Sequence, residues 1–365
     1  MDTIDTKPDE KLQGSSRRSS DGVKKGDTAA RHLSSRRYNA SSRIITVEPV
    51  LLFVAMAIGV ILVVQPQYLR ERVAKARNIT LPTPGRGGGG NESQGCSFRN
   101  TSNPYYIALQ EVQAEVSFWT MILAISGSLP ALIMAPIIGS WGDKVGRKVA
   151  LGVPVFGYVL TSITYLMIFY FELPLWVLLL AMFFQGIAGG NGLILAAAVA
   201  YVTDITSEKN RIHRIGIVHG SFIIGIGLTQ LFAGFIIQSF GYGPTLWISL
   251  GTIALSFLYV VLPPFLIETV DTSRRSTPES KVGSGTKLEA IHSLIDLFRI
   301  NTGYRRIRLG LIFSMELTNE LLNTSAVGII IIYGLGPPFC WSSVLVSGYW
   351  TMLLFGSALC KYVIL

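Results

Sequence analysis

Residues 139–148, GSWGDKVGRK, form a short polar turn between two long apolar segments. Its glycines allow close helix approach and a backbone turn that other residues resist. The Asp143 carboxylate can make charge-assisted bonds with the basic pair that follows it, and these bonds can form or break as the flanking helices move. A generic hairpin on the positive side of a membrane needs basic residues, but not these glycines or the aspartate. We therefore predict that this turn is a conformational switch, whose bonds change when the flanking helices move. Its residues are Gly139, Asp143, Gly146, Arg147 and Lys148.

Long, charge-poor segments continue on both sides of this turn. Half of the residues are apolar (50%), only 15% are charged and the mean hydropathy is +0.46, which is too apolar for one soluble core. Because a bilayer core of about 30 Å takes roughly 20 apolar residues per helix, the sequence predicts an all-α, polytopic membrane protein with about eight spans. The predicted spans are residues 44–65, 117–139, 149–171, 174–202, 213–239, 243–267, 308–333 and 342–365.

The spans divide the chain into two unequal helical parts. Residues 1–43 are rich in Ser, Lys and Arg and predict a disordered cytoplasmic tail. Six spans fill residues 44–267, a charged cytoplasmic linker follows at 268–307, and two more spans fill 308–365. This is the layout of two six-helix halves, with a binding site between them near mid-membrane. We therefore expect a chain truncated at its C-terminus from twelve helices.

Charge and sequons predict how the chain is oriented. Most of the 31 Lys and Arg residues fall in the first tail and in alternate loops, which places the N-terminus in the cytoplasm and explains the net charge of +9 without nucleic acid. The long outside loop, residues 66–116, carries three glycosylation sequons, at Asn78, Asn91 and Asn100. Cys96 and Cys340 both fall outside, where they form either a disulfide or two free thiols.

Span seven carries the richest set of polar groups within a predicted span. Its residues recur at spacings of three and four, so they share one helical face. Two carboxylates facing lipid would be costly, so the stripe should face a central cavity or pair with another helix. The stripe consists of Glu316, Asn319, Glu320 and Asn323.

Four other polar residues are candidates for substrate binding or coupling. Glu48 precedes Pro49, which can open a helix by removing an amide, so Glu48 is either a gate or coupling carboxylate or a snorkelling interfacial residue. His219 in span five is either a proton carrier or a neutral hydrogen-bonding group. Gln185 and Asn191 lie in the glycine-rich span four, whose glycines indicate close helix packing.

The sequence lacks the patterns of catalysis and of cofactor binding. It has no nucleophile arrangement, no metal-ligand spacing and no Walker phosphate loop. We therefore expect a protein that is not an enzyme and that needs no metal or other cofactor.

Residues 139–148 resemble the signature of the major facilitator superfamily, G-x-x-x-D-x-x-G-R-[KR]. Three further stretches are similar to the group formed by the proton-coupled folate transporter and its lysosomal and thymic relatives. These are ITVEPV at 45–50, YVTDI at 201–205 and PFCWSS at 338–343. The resemblance implies a disulfide between Cys96 and Cys340. The chain departs from the folate transporter by His219 in place of a carboxylate, Asn323 in place of a histidine and Gly190 in place of an aspartate.

The resemblance implies a secondary active transporter that moves a small organic solute by alternating access. A proton gradient is the expected driving force, and a folate-like molecule or another organic anion is the expected substrate, although an acidic cavity would equally suit a cation. The plasma membrane and the lysosomal membrane both fit a glycosylated multi-pass protein. Two alternatives stay open: a truncated membrane protein that binds a partner or solute without transport, and a multidrug-type exporter.

Overall fold

The structure is a computed structural model in which every regular element of the described residues is helical. The described residues are 46–81, 104–262, 266, 304, 306–308, 310, 311, 314, 315, 318, 333, 334, 339 and 341–364. The predicted tail at 1–43 lies outside this set, as does the predicted linker at 268–307 apart from residues 304, 306 and 307.

Eight α-helices are described, and six segments among them are long and apolar enough to cross a membrane. These six match predicted spans one to six, and the last helix matches predicted span eight. The all-helical membrane class is therefore confirmed, whereas the total of eight spans and the truncation stay predictions. The helices are α1 Glu48–Ala76, α2 Pro104–Val145, α3 Arg147–Phe171, α4 Trp176–Ile187, α5 Gly190–Ile205, α6 Arg211–Phe240, α7 Tyr242–Val261 and α8 Ser343–Ile364, with a short 3-10 turn, Glu208–Asn210, before α6.

Helix α1 lies at the centre of the packing. It packs against α6 and α7, while α8 packs on α6, α3 on α7 and α2 on α4. In the most apolar window of α1, 67% of the residues are buried, against 11% for α2. An apolar surface left open in this way suits lipid rather than water, because the bilayer core is itself apolar.

Two apolar clusters divide the bundle along its length, and both include residues of α1. We call the end that holds Glu48, Arg147 and Arg214 the inner end, and the end that holds Ala76 and Phe171 the outer end. The charge pattern predicts that the inner end is cytoplasmic, and this orientation stays a prediction.

Helices extend into the segment predicted to be an outside loop. Helix α1 continues to Ala76 and α2 begins at Pro104, so residues 77–103 connect the two helices. Asn78 is exposed directly after α1, with a φ of 56°. The sequons at Asn91 and Asn100, together with Cys96 and Cys340, lie outside the described residues.

The predicted span four, 174–202, corresponds to one apolar segment long enough to cross a membrane, Trp176–Ile205, but the helix is broken inside this span. Gly189 and Gly190 have φ angles of +100° and +61°, a region that L side chains rarely adopt, and the chain ends α4 and begins α5 there. Gly186, just before the break, packs as predicted: an added Cβ would overlap the carbonyl oxygen of Gly127 on α2.

Candidate functional site

The predicted switch forms an ion network at the inner end. Gly146 supplies the turn between α2 and α3 with a φ of 153°. The Arg147 guanidinium pairs with the Asp143 carboxylate, and its Nε donates a 2.9 Å hydrogen bond to Asp204 Oδ2. One side chain at the start of α3 therefore joins the last turns of α2 and α5.

Two of the predicted switch residues, Gly139 and Lys148, lie outside this ion network. Close helix approach occurs at Gly142, where an added Cβ would overlap that of Ala150, whereas at Gly139 the nearest atom is 3.8 Å away. Lys148 points away from the acidic pair, and its Nζ donates to the carbonyl oxygen of Val261 at 3.5 Å. Arg147 therefore contacts the two aspartates, whereas Lys148 contacts the end of α7, because consecutive helix residues point in different directions.

A second ion network is buried beside the first. Glu48 is 6% exposed, and its Oε1 lies 3.1 Å from Arg214 Nη2. The Thr46 amide donates to Glu48 Oε2 at 2.6 Å, the Thr46 hydroxyl accepts from Arg214 at 3.1 Å, and Tyr259 donates to the Thr46 carbonyl at 3.1 Å. The network ties the start of α1 to α6 and α7, and its burial contradicts the snorkelling interpretation of Glu48.

The interpretation of Pro49 as a helix opener was also wrong. Pro49 is the second residue of α1. Amides in the first turn of a helix have no intrahelical acceptor, so a proline there removes no hydrogen bond. Pro49 therefore helps to start α1 rather than to interrupt it.

The two polar candidates of span four meet one buried tyrosine. Tyr158 on α3 is 4% exposed and donates a hydrogen bond to Asn191 Oδ1 at the start of α5. The Gln185 side chain lies beside the same hydroxyl. The break in span four thus gathers the polar ends of three side chains, and Asn191 stays exposed on one side.

His219 and Gln230 share a face of α6 but differ in burial. His219 is exposed, and its Nδ1 lies 3.0 Å from the Ile215 carbonyl oxygen of its own helix. Gln230 is 2% exposed, and its Oε1 has no hydrogen-bond partner in the structure. A buried amide oxygen is normally bonded, so Gln230 marks a polar position that a water or a solute could complete.

Helix α8 reaches this part of α6. The Thr351 hydroxyl donates to the Gly227 carbonyl at 3.3 Å, one turn from Gln230. The predicted stripe of span seven, Glu316, Asn319, Glu320 and Asn323, lies outside the described residues. Among the described residues, no group of three His, Cys, Asp or Glu side chains is placed to hold a metal.

Exposed ion pairs hold the outer end. Lys75 pairs with Glu172 at 2.8 Å, and Arg77 pairs with Glu111 and Glu115 at 2.6 and 2.9 Å. The hydrogen bond from Lys75 lowers the pKa of Glu172, and that to Glu115 raises the pKa of Arg77. These pairs position the outer extensions of α1 and α2, and water screens their charges.

Sequence reasoning missed Arg214, Tyr158 and the role of Asp204. Arg214 falls among basic residues that the orientation of the chain explains equally well, so nothing local marks it as the partner of Glu48. Asp204 stands in the quoted YVTDI stretch at the end of span four, and its position at the inner end was the one available signal.

Six segments long and apolar enough to cross a membrane, with α1 at the centre of their packing, define a multi-spanning helical membrane protein. A charged turn between the second and third segments carries an ion network at the inner end. A family model described as the Major Facilitator Superfamily matches residues 49–362. The chain belongs to the Major Facilitator Superfamily.

Curated relatives refine this membership. The chain is 28% identical over 320 residues to the lysosomal proton-coupled steroid conjugate and bile acid symporter of Homo sapiens, covering 87% of this chain and 66% of that protein. It is 25% identical over 240 residues to the proton-coupled folate transporter of Rattus norvegicus, covering 66% of this chain and 50% of that one. The chain thus spans about half to two thirds of the length of these relatives, and the resemblance seen in the sequence is confirmed.

A solved structure agrees on the fold. The crystal structure of the human organic anion transporter TETRAN matches with a TM-score of 0.56 at 19% identity, covering 85% of this chain and 68% of that one.

Proposed function

We propose that this chain forms all or part of a proton-coupled secondary transporter that carries a small organic anion by alternating access. The observation that carries the proposal is the pair of ion networks at the inner end, one exposed and one buried. Membership of the superfamily and the proton-coupled relatives support it.

The two networks suit different tasks because their burial differs. Arg147 is 22% exposed, and its partners Asp143 and Asp204 are 56% and 34% exposed, so water can replace these bonds at small cost. The side chains of Glu48 and Arg214 are only 8% and 12% exposed, and separating them would leave an unpaired charge inside the protein. The first network can therefore exchange partners as α2, α3 and α5 move, while the second holds α1 to α6.

The coupling and binding groups belong to the same proposal. The His219 side chain is exposed and not buried in the bundle, and histidine is the side chain that most often carries protons in proteins, which suits a coupling role. Gln185 and Asn191 can offer hydrogen bonds to a solute at the break in span four. The stripe of span seven, Glu316 to Asn323, is proposed to complete the cavity from the second half.

The substrate class follows from the relatives and not from the cavity. The curated relatives are named for steroid conjugates, bile acids and folate, and the solved neighbour for organic anions. We therefore take an organic anion as the substrate class, in the plasma or lysosomal membrane.

The proposal is tested by uptake of a panel of organic anions into vesicles that contain the full chain, with and without an imposed pH gradient. We expect at least one anion to accumulate faster when the source side is acidic. Binding without accumulation at any pH would favour the non-transporting alternative, and export of unrelated drugs would favour the multidrug alternative.

We expect Asp204→Asn to slow uptake by at least about fivefold, because conformational couplings of this kind are worth about 1–3 kcal/mol. Stability in detergent should hardly change, since Asp204 makes a partly exposed ion pair. The matched control is Glu208→Gln, which removes an exposed acidic charge from the following 3-10 turn. Equal uptake by both variants would rule out a switching role for the Arg147–Asp204 bond.

We expect His219→Ala to flatten the pH dependence of uptake between about pH 5 and about pH 8, where histidine changes its charge. His213, also exposed and two turns earlier on α6, provides the control variant His213→Ala. Proton-driven uptake that survives His219→Ala unchanged would remove His219 from the coupling path.

A further inference from the structure

An apolar groove of about 430 Å³ lies between α3 and α7 at the inner end. Gly152 lies in the groove lining without a side chain, and a Cβ added there would contact Val260 Cγ1 of the opposite helix at 3.5 Å. The rings of Phe156 and Phe257 contact each other with their centroids 5.7 Å apart. The groove is lined by Lys148, Gly152, Val153, Phe156, Phe257 and Val260, among others.

Exposed apolar side chains continue from the groove along α3 and α7. On α3, Phe156, Leu160 and Met167 are 47%, 40% and 45% exposed at spacings of four and seven, which form one stripe along the helix. On α7, Leu255 and Leu258 are 53% and 51% exposed. Apolar side chains of this kind are compatible with the hydrocarbon of a bilayer, which is the surrounding that the proposal below requires.

Lys148 is the one charged residue of the groove lining. Its neighbour Arg147 is balanced by Asp143 and Asp204, whereas the described residues offer Lys148 no carboxylate within ion-pairing distance. Its ammonium reaches the Val261 carbonyl, in the last turn of α7, where the apolar helix ends. A cation at the end of an apolar helix is complementary to an anionic lipid headgroup. Basic pockets between membrane helices are known to bind such headgroups.

We propose that this groove binds an anionic phospholipid of the cytoplasmic leaflet, with an acyl chain between α3 and α7 and the headgroup phosphate at Lys148. The bound chain would fill the space left by Gly152 and set the separation of the two helices. Because Arg147 is the next residue along α3, the lipid would also act beside the ion network of the inner end. This inference depends on the membrane fold and the orientation, and is independent of the proposed substrate.

The test is native mass spectrometry of the full chain in detergent with added phosphatidylserine or phosphatidylcholine of identical acyl chains. We expect the wild-type chain to retain phosphatidylserine about fivefold better, the equivalent of the roughly 1 kcal/mol that one basic residue gains near an anionic surface. Lys148→Gln should abolish this preference, and Lys148→Arg should keep it. Gly152→Leu should reduce retention of both lipids, because its side chain would occupy the groove.

The matched control is Lys209→Gln, which removes an exposed positive charge from the 3-10 turn, away from the groove lining. It should keep the preference for phosphatidylserine. Equal behaviour of Lys148→Gln and Lys209→Gln would overturn the proposal, as would a wild-type chain without lipid preference. Lys148→Gln changes a half-buried side chain that makes no ion pair among the described residues, so the folded chain stays available for measurement if Gly152→Leu does not fold.

Discussion

Arg214→Met is expected to destabilise the folded chain by about 3–5 kcal/mol, measured by thermal or denaturant unfolding in detergent. The substitution keeps the side-chain volume but removes the charge that pairs with Glu48 Oε1 at 3.1 Å. The Glu48 carboxylate would then lie buried with only the Thr46 amide and hydroxyl as described donors. The loss therefore comes from an uncompensated charge and not from a cavity.

Two comparisons separate this explanation from a general effect of losing an arginine. Arg77→Met at the outer end also breaks ion pairs, with Glu111 and Glu115, but these groups are exposed and the loss should be much smaller. The double variant Glu48→Gln with Arg214→Met should recover much of the stability, since it leaves no buried charge. If the Arg214→Met variant proved as stable to unfolding as the Arg77→Met variant, the result would contradict the buried ion network.

Gly225→Ala is expected to cost about 1–3 kcal/mol, even though alanine favours helices over glycine. A Cβ at Gly225 of α6 would lie 2.7 Å from both the Leu52 carbonyl oxygen and the Ala55 Cβ of α1. One of these atoms is backbone, so α1 and α6 would have to move apart. Gly59 makes the reciprocal approach from α1, with the Ile226 carbonyl oxygen at 2.9 Å from an added Cβ.

The matched variant is Gly251→Ala in the interior of α7, where an added Cβ meets nothing within 4 Å. It should be neutral or stabilising by up to about 1 kcal/mol, because alanine loses less backbone entropy than glycine. Unfolding of both variants in one detergent gives the comparison directly. If the Gly225→Ala and Gly251→Ala variants had the same free energy of unfolding, α1 and α6 would not be in close contact.

Hydropathy predicted where helices exist more reliably than where they end. Span three was predicted over 149–171 and α3 covers Arg147–Phe171. Helix α2, by contrast, begins at Pro104, thirteen residues before its predicted start at 117, because residues 104–116 are polar enough to look like a loop. Hydropathy reports the thickness of the bilayer, whereas a helix continues for as long as its backbone and side-chain contacts permit.

Glycines in span four show a second limit of sequence reasoning. Gly186 and Gly190, four residues apart, predict helix packing. Gly186 does pack against α2, but Gly190 has a positive φ and follows a break in the helix. Glycine permits both close approach and unusual dihedrals, so the residue alone does not decide which of the two is used.

The sequence alone determined the class of protein, the positions of the apolar spans and the pairing of Asp143 with Arg147, because these depend on neighbouring residues and on the thickness of a membrane. The tertiary structure was needed to show that Glu48 is buried against Arg214 on α6, that Asp204 pairs with Arg147, and that Lys148 lines a groove beside α7. Those contacts join residues far apart in the chain. Their energies depend on burial and distance, which hydropathy and spacing do not contain.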